Sequence, residues 1–159
     1  MRSRHLTLAA AIAAIVIAAG TGTAVSARQS NPRFGVWKLK SAAPPPASNL
    51  MTYEAYNGTG MKITIDAVSA NGAKSQWGYT TMFDGKDEAM VGNRGADTAS
   101  VKVLNERVNE MVYKKGGVVT QVLANILSPD HNTIDVIYVR MDPDGKMTGM
   151  TTATYERQK

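Results

Sequence analysis

From residue 34 onward, apolar and polar positions alternate with a period of two, in short runs broken by turn residues. The runs include FGVWKLK, MKITIDAV, SQWGYTTMF, ASVKVL, VVTQVLANIL, TIDVIYV and KMTGMTTATYE, all rich in Thr, Val, Ile and Tyr. A strand with two unlike faces requires that period. Between the runs stand Asn57-Gly58, Asn71-Gly72, Asp84-Gly85, Gly92-Asn93-Arg94-Gly95, Asn105-Glu106, Lys115-Gly116-Gly117, Ser128-Pro129-Asp130 and Asp142-Pro143-Asp144-Gly145. Asn-Gly and Asp-Gly supply the positive backbone angles of tight hairpins. The pattern predicts about ten strands and leaves no room for a long helix, which means an all-β sandwich or barrel. Consecutive hairpins favour an up-and-down antiparallel meander. Closing such a meander of about eight to ten strands into a single β-barrel removes both exposed edges.

Alternation also assigns faces. Gly35, Trp37 and Leu39 share one side of the first run, and Val36, Lys38 and Lys40 the other, so Trp37 is expected to point inward. Trp77, Tyr79, Thr81 and Phe83 share a face, as do Ile134, Val136, Tyr138 and Arg140. In the last run Met147, Gly149, Thr151, Ala153 and Tyr155 lie on one side. The one long connection, SAAPPPASN over residues 41–49, carries three prolines that favour an extended segment over a helix.

The first residues belong to a different class. Arg2, Arg4 and His5 precede an apolar run over residues 6–19, followed by the small-residue pattern Val25-Ser26-Ala27. That is the layout of a secretory signal peptide over residues 1–27, with cleavage expected after Ala27. The run is shorter than the ~18–20 residues a membrane-spanning helix needs, so the remaining single domain, residues 28–159, is expected to be exported without a membrane span.

Without the leader the chain has 16 Lys and Arg against 13 Asp and Glu, a balance of +3. The cations are scattered singly apart from Lys114-Lys115, and no basic stripe suggests nucleic acid. There is no cysteine, which removes disulfides, thiolate metal sites and a lipid-modified cysteine.

Catalytic chemistry is thinly represented. Beyond the leader His131 is the one histidine, inside SPDHNT, where a turn is the simplest reading. Metal sites usually draw three or four ligands, so neither a metal nor another cofactor is expected. The Asp142-Pro143-Asp144-Gly145 stretch lacks the later acidic ligands of a calcium loop. A barrel-type isomerase or cyclase would need ionisable groups inside, for which Arg140, Asp135 and Glu110 are the candidates. Aromatic and Met residues on inward-facing positions are better represented: Trp77, Tyr79, Phe83, Met111, Tyr113, Tyr138 and Tyr155. Rings with a polar tip can line a pocket and orient a ligand, and Met adds adaptable surface. The same residues also suit filling a small barrel, and each position alone fits either use.

The two ends of the chain carry a family resemblance. FGVWKLK resembles the Gly-x-Trp opening strand shared by lipocalins and fatty-acid-binding proteins, the calycins. ATYERQK is similar to the closing strand of the fatty-acid-binding branch, where a Tyr precedes an acidic and a basic residue. The late DGKM turn belongs to the same likeness, and WKL with FDGK resembles small exported bacterial lipocalin-like proteins. The resemblance implies a calycin-like barrel around a small ligand, with Trp37 packed across its floor against Arg157. It departs from the fatty-acid-binding pattern in two places. Residues 41–49 replace the helical lid, and Ala153 stands where the carboxylate-binding Arg precedes Tyr155. Arg140, on a neighbouring strand, is the remaining cation that could serve.

The sequence thus leads to an exported barrel binding a small apolar or amphipathic molecule. The pocket candidates are Trp77, Tyr79, Phe83, Met111, Tyr113, Tyr138, Arg140 and Tyr155. A filled, non-catalytic barrel contacting an envelope partner is the alternative.

Overall fold

A computed structural model describes residues 31–159. The leader expected over residues 1–27 lies outside the described residues. Ten strands follow the turn signals in order: β1 (Gly35–Leu39), β2 (Ser48–Tyr56), β3 (Gly60–Val68), β4 (Lys74–Thr81), β5 (Glu88–Ala89), β6 (Thr98–Val103), β7 (Val108–Lys115), β8 (Val118–Leu127), β9 (Thr133–Met141) and β10 (Met147–Arg157). There is no helix among the described residues. The strands form one sheet in the order β4-β3-β2-β1-β10-β9-β8-β7-β6-β5, with every pair antiparallel.

The first and last strands therefore meet in the middle of the sheet, with Trp37 opposite Arg157 and Leu39 opposite Tyr155. The seam of the barrel lies elsewhere, between β4 and β5. There Gly78 and Val91 exchange backbone hydrogen bonds of 3.0 and 2.9 Å. A Cβ at Gly78 would run into the Ile63 carbonyl oxygen on β3, so a side chain is not accommodated where the sheet turns to close. The result is an all-β, nearly closed up-and-down barrel, as the alternation and turn spacing predict.

One turn reads differently in space. The charged stretch from Asp84 to Glu88 begins as a turn, with Gly85 at φ +75°, and ends by entering β5 at Glu88. The short β5 supplies the edge that β4 needs for closure, a demand set by the barrel rather than by local sequence. Residues 41–47 form the long, largely exposed link between β1 and β2.

Trp37, Leu127 and Ile134 are fully buried at one end of the barrel. Removing a side chain such as Leu127 or Ile134 from water contributes about 1.5–3 kcal/mol each. On the outside, Lys38 and Lys40 face solvent, and Lys40 Nζ lies 3.3 Å from Glu156 Oε1 on β10.

Candidate functional site

Inward-facing positions grade from buried to open along every long strand, and this gradient gives the barrel a closed end and a mouth. On β9 it runs from Ile134 and Val136, both buried, through half-buried Tyr138 to exposed Arg140. On β10 it runs from buried Tyr155 through half-buried Ala153 to exposed Thr151. On β8, Leu127, Asn125 and Leu123 are buried and Gln121 half-buried. On β2, Tyr53 and Met51 are buried and Asn49 half-buried. On β4, Thr81 and Tyr79 are buried and Trp77 half-buried.

Between the two ends is a cavity of about 230 Å³. Six of the eight pocket candidates line it: Trp77, Tyr79, Met111, Tyr113, Tyr138 and Tyr155. Their rings interlock. Tyr113 stands edge-on to both Trp77 (centroids 6.1 Å apart, planes at 85°) and Tyr79 (5.8 Å, 77°). Such T-shaped pairs place the positive edge of one ring on the negative face of the next. The Tyr79 and Tyr113 hydroxyls are 3.3 Å apart. Toward the mouth the Tyr155 hydroxyl donates to Asn49 Oδ1 at 3.4 Å.

Phe83 and Arg140 lie elsewhere. β4 ends at Thr81, so the alternation that put Phe83 beside Trp77 and Tyr79 stops two residues early. Phe83 adopts a left-handed φ of 61° and packs at the closed end, in a hollow it shares with Arg33, Glu106 and Asn109. Arg140 keeps its inward register but sits past the rim, paired with Gln121 and Gly149. Asp135 is exposed and accepts a 2.6 Å hydrogen bond from Thr154 Oγ1 on the outer face. Glu110 also takes an outward register on β7, between inward Asn109 and Met111. The acid-base set considered for an isomerase or cyclase is therefore dispersed.

The resemblance-derived floor contact is present. The Arg157 guanidinium carbon lies 4.1 Å from the centre of the Trp37 ring. His131 is exposed in the β8–β9 turn with a φ of 59°, and its carbonyl accepts from Arg157 Nε at 2.8 Å. Among the described residues no group of His, Asp or Glu is arranged to hold a metal.

Beneath the cavity is a polar layer that face assignment alone does not reveal. Arg33, only 4 % exposed, donates through Nη2 to the Arg107 carbonyl at 2.6 Å and through Nε to Asn125 Oδ1 at 3.3 Å. Asn125 Nδ2 in turn donates to the Tyr53 hydroxyl at 2.9 Å. Arg33 has no carboxylate partner among the described residues, and burial lowers its pKa. Burial pushes the Tyr53 and Tyr113 hydroxyls well above the ordinary tyrosine value, and Tyr79, Tyr138 and Tyr155 move the same way for the same reason. All five remain protonated at neutral pH, as neutral donors or acceptors.

Tyr53 and Asn125 were legible in principle. Tyr53 alternates with Met51 in SNLMTYEAY, and Asn125 alternates with Leu123 and Leu127 in VVTQVLANIL. An Asn inside an apolar alternation is the signal that a strand face is not plain core.

No family model and no curated protein sequence matches the chain. Solved structures do resemble it. The crystal structure of the wild-type fluorescent protein UnaG superposes with a TM-score of 0.54 at 13% identity, covering 79% of this chain and 96% of that one. A point mutant of UnaG gives 0.56 at 13% identity, covering 80% and 97%. At that identity the likeness speaks for the fold alone, a calycin-like barrel.

Proposed function

We propose that the protein is an exported container that takes up a small apolar or amphipathic molecule in the barrel interior. The observation that carries this reading is the cavity itself, walled by Trp77, Tyr79, Met111, Tyr113, Tyr138 and Tyr155 and graded toward a mouth at Asn49 and Gln121. Uptake would be driven by burying the ligand's apolar surface, at roughly 25 cal/mol per Å² before the costs of association, while the hydroxyls set its orientation. A barrel filled solid for packing would have left no such space.

Native mass spectrometry of the protein purified from its own host, beside a Leu123→Trp variant that fills the cavity, tests the reading. The wild type is expected to carry or take up a small molecule that the variant does not. A wild type that is always empty, or a variant that binds equally well, would count against it. Export rests on the leader, and N-terminal sequencing of the host-made protein should then begin at Arg28.

A further inference from the structure

The cavity has nine polar residues in its walls and no Lys, Arg, His, Asp or Glu among the described residues. Beneath it, Arg33 donates to Asn125, a residue of the cavity wall, and does not itself line the cavity. That arrangement fixes the direction of the hydrogen bonds. A guanidinium has only donors, so the Asn125 oxygen must face Arg33 and its NH₂ must face Tyr53. The Tyr53 oxygen is then committed as an acceptor. Its own proton has no acceptor among the described residues, although the side chain is 2 % exposed and lines the cavity. The chain Arg33 to Asn125 to Tyr53 also polarises the last O–H, because each donor drawn toward its acceptor strengthens the next bond.

From this geometry we infer that the ligand is a small neutral molecule bearing a hydrogen-bond acceptor, such as a carbonyl, which receives the Tyr53 hydroxyl at the cavity floor. The inference rests on the interior-binding reading and narrows its chemistry. An acceptorless hydrocarbon would leave the polarised hydroxyl unpaired. A carboxylate would give up its water without a counter-charge in contact, a loss far larger than any one neutral hydrogen bond returns. Size narrows it further. About 230 Å³ falls below the ~300–1,000 Å³ of sites for drug-sized ligands. A single substituted ring fits those dimensions, and the edge-on set of Trp77, Tyr79 and Tyr113 offers flat walls for it.

Three near-isosteric probes separate the possibilities: acetophenone, α-methylstyrene and benzoate, titrated by calorimetry and by Trp fluorescence on residues 28–159 and on the full chain. Acetophenone is expected to bind about tenfold more tightly than α-methylstyrene, one good hydrogen bond's worth, and benzoate more weakly than either. Tyr53→Phe, checked for an unchanged thermal transition, should erase the preference for acetophenone over α-methylstyrene while leaving α-methylstyrene affinity within about twofold. The wild-type ranking stands as a test even if that variant fails to fold. Benzoate binding as tightly as acetophenone, or no preference between the two neutral probes, overturns the inference and leaves interior binding intact. Absence of binding by all three overturns the interior-binding reading along with it.

Discussion

Arg157 and Trp37 lie directly opposite each other on β10 and β1, and the guanidinium of one covers the indole of the other at 4.1 Å. The pair closes the barrel end. Arg157 also donates to the Phe34 carbonyl at 2.9 Å, to the Pro32 carbonyl, and to the His131 carbonyl in the β8–β9 turn. Trp37 Nε1 donates to the Arg33 carbonyl at 2.8 Å. One cation thereby ties the N-terminal segment, the last strand and a distant turn to the floor. It also holds in place the segment that carries Arg33, and hence the donor chain under the cavity.

Arg157→Ala should lower unfolding stability by about 2 kcal/mol, from the lost cation–π contact and the charge-assisted bonds to carbonyls, discounted because the side chain is partly exposed. Arg157→Lys should recover less than half, since an ammonium has no planar fork to serve three carbonyls and a ring together. Urea melts of both variants check this. Equal stability of the Ala variant and the wild type would show that the cover is incidental.

Gly35 makes that cover possible. Its φ is +131°, and a Cβ there would stand 3.0 Å from Arg157 Nη1. The backbone angle strains any side chain placed there, and the close approach requires the Arg157 guanidinium to give by a few tenths of an ångström. Gly35→Ala should therefore destabilise by about 1–3 kcal/mol. Combining it with Arg157→Ala should give less than the sum, because the second change removes the atom that the new methyl meets. Strict additivity would mean that backbone strain alone sets the cost.

Much of the barrel could be read from residues taken singly. Trp37, Tyr79, Tyr113 and Tyr155 point inward because a period of two leaves no other choice once one face is wet. Positions past the end of a strand or past the barrel rim could not be read that way. Phe83 departs because β4 stops at Thr81, and Arg140 because its inward register continues beyond the rim. Alternation reports direction and is silent on depth. The donor chain was hidden for another reason: Arg33, Tyr53 and Asn125 lie 20 and 72 positions apart in sequence and meet only when β1 to β2 and β8 close around one floor.

The buried tyrosines set an alkaline limit. Folding raises the pKa of Tyr53, Tyr79, Tyr113, Tyr138 and Tyr155 above the unfolded value of about 10. The unfolded chain therefore sheds these protons first, and the stability they confer, complete below about pH 10, falls as pH climbs past it. Urea midpoints should hold steady from neutral pH to about 9 and then drop steeply, with tyrosinate absorbance appearing in step with unfolding. Tyr138→Phe should make the drop shallower. Tyrosine ionisation with an unchanged midpoint would contradict the burial argument.

Asn109 offers a prediction of the opposite sign. It faces inward on β7, directly opposite Asn125, and is 1 % exposed. Its Oδ1 is buried and meets no donor among the described residues. A buried acceptor left unpaired costs about 1–3 kcal/mol, and replacing it with an apolar group of like volume removes that cost. Asn109→Leu should raise stability by about 1 kcal/mol while leaving the probe ranking at the cavity unchanged, because Asn109 lines the closed-end hollow and not the cavity. A loss of stability would mean that the oxygen holds a partner such as an ordered water shared with Arg33. A changed probe ranking would instead extend the polar floor from Asn125 to its neighbour.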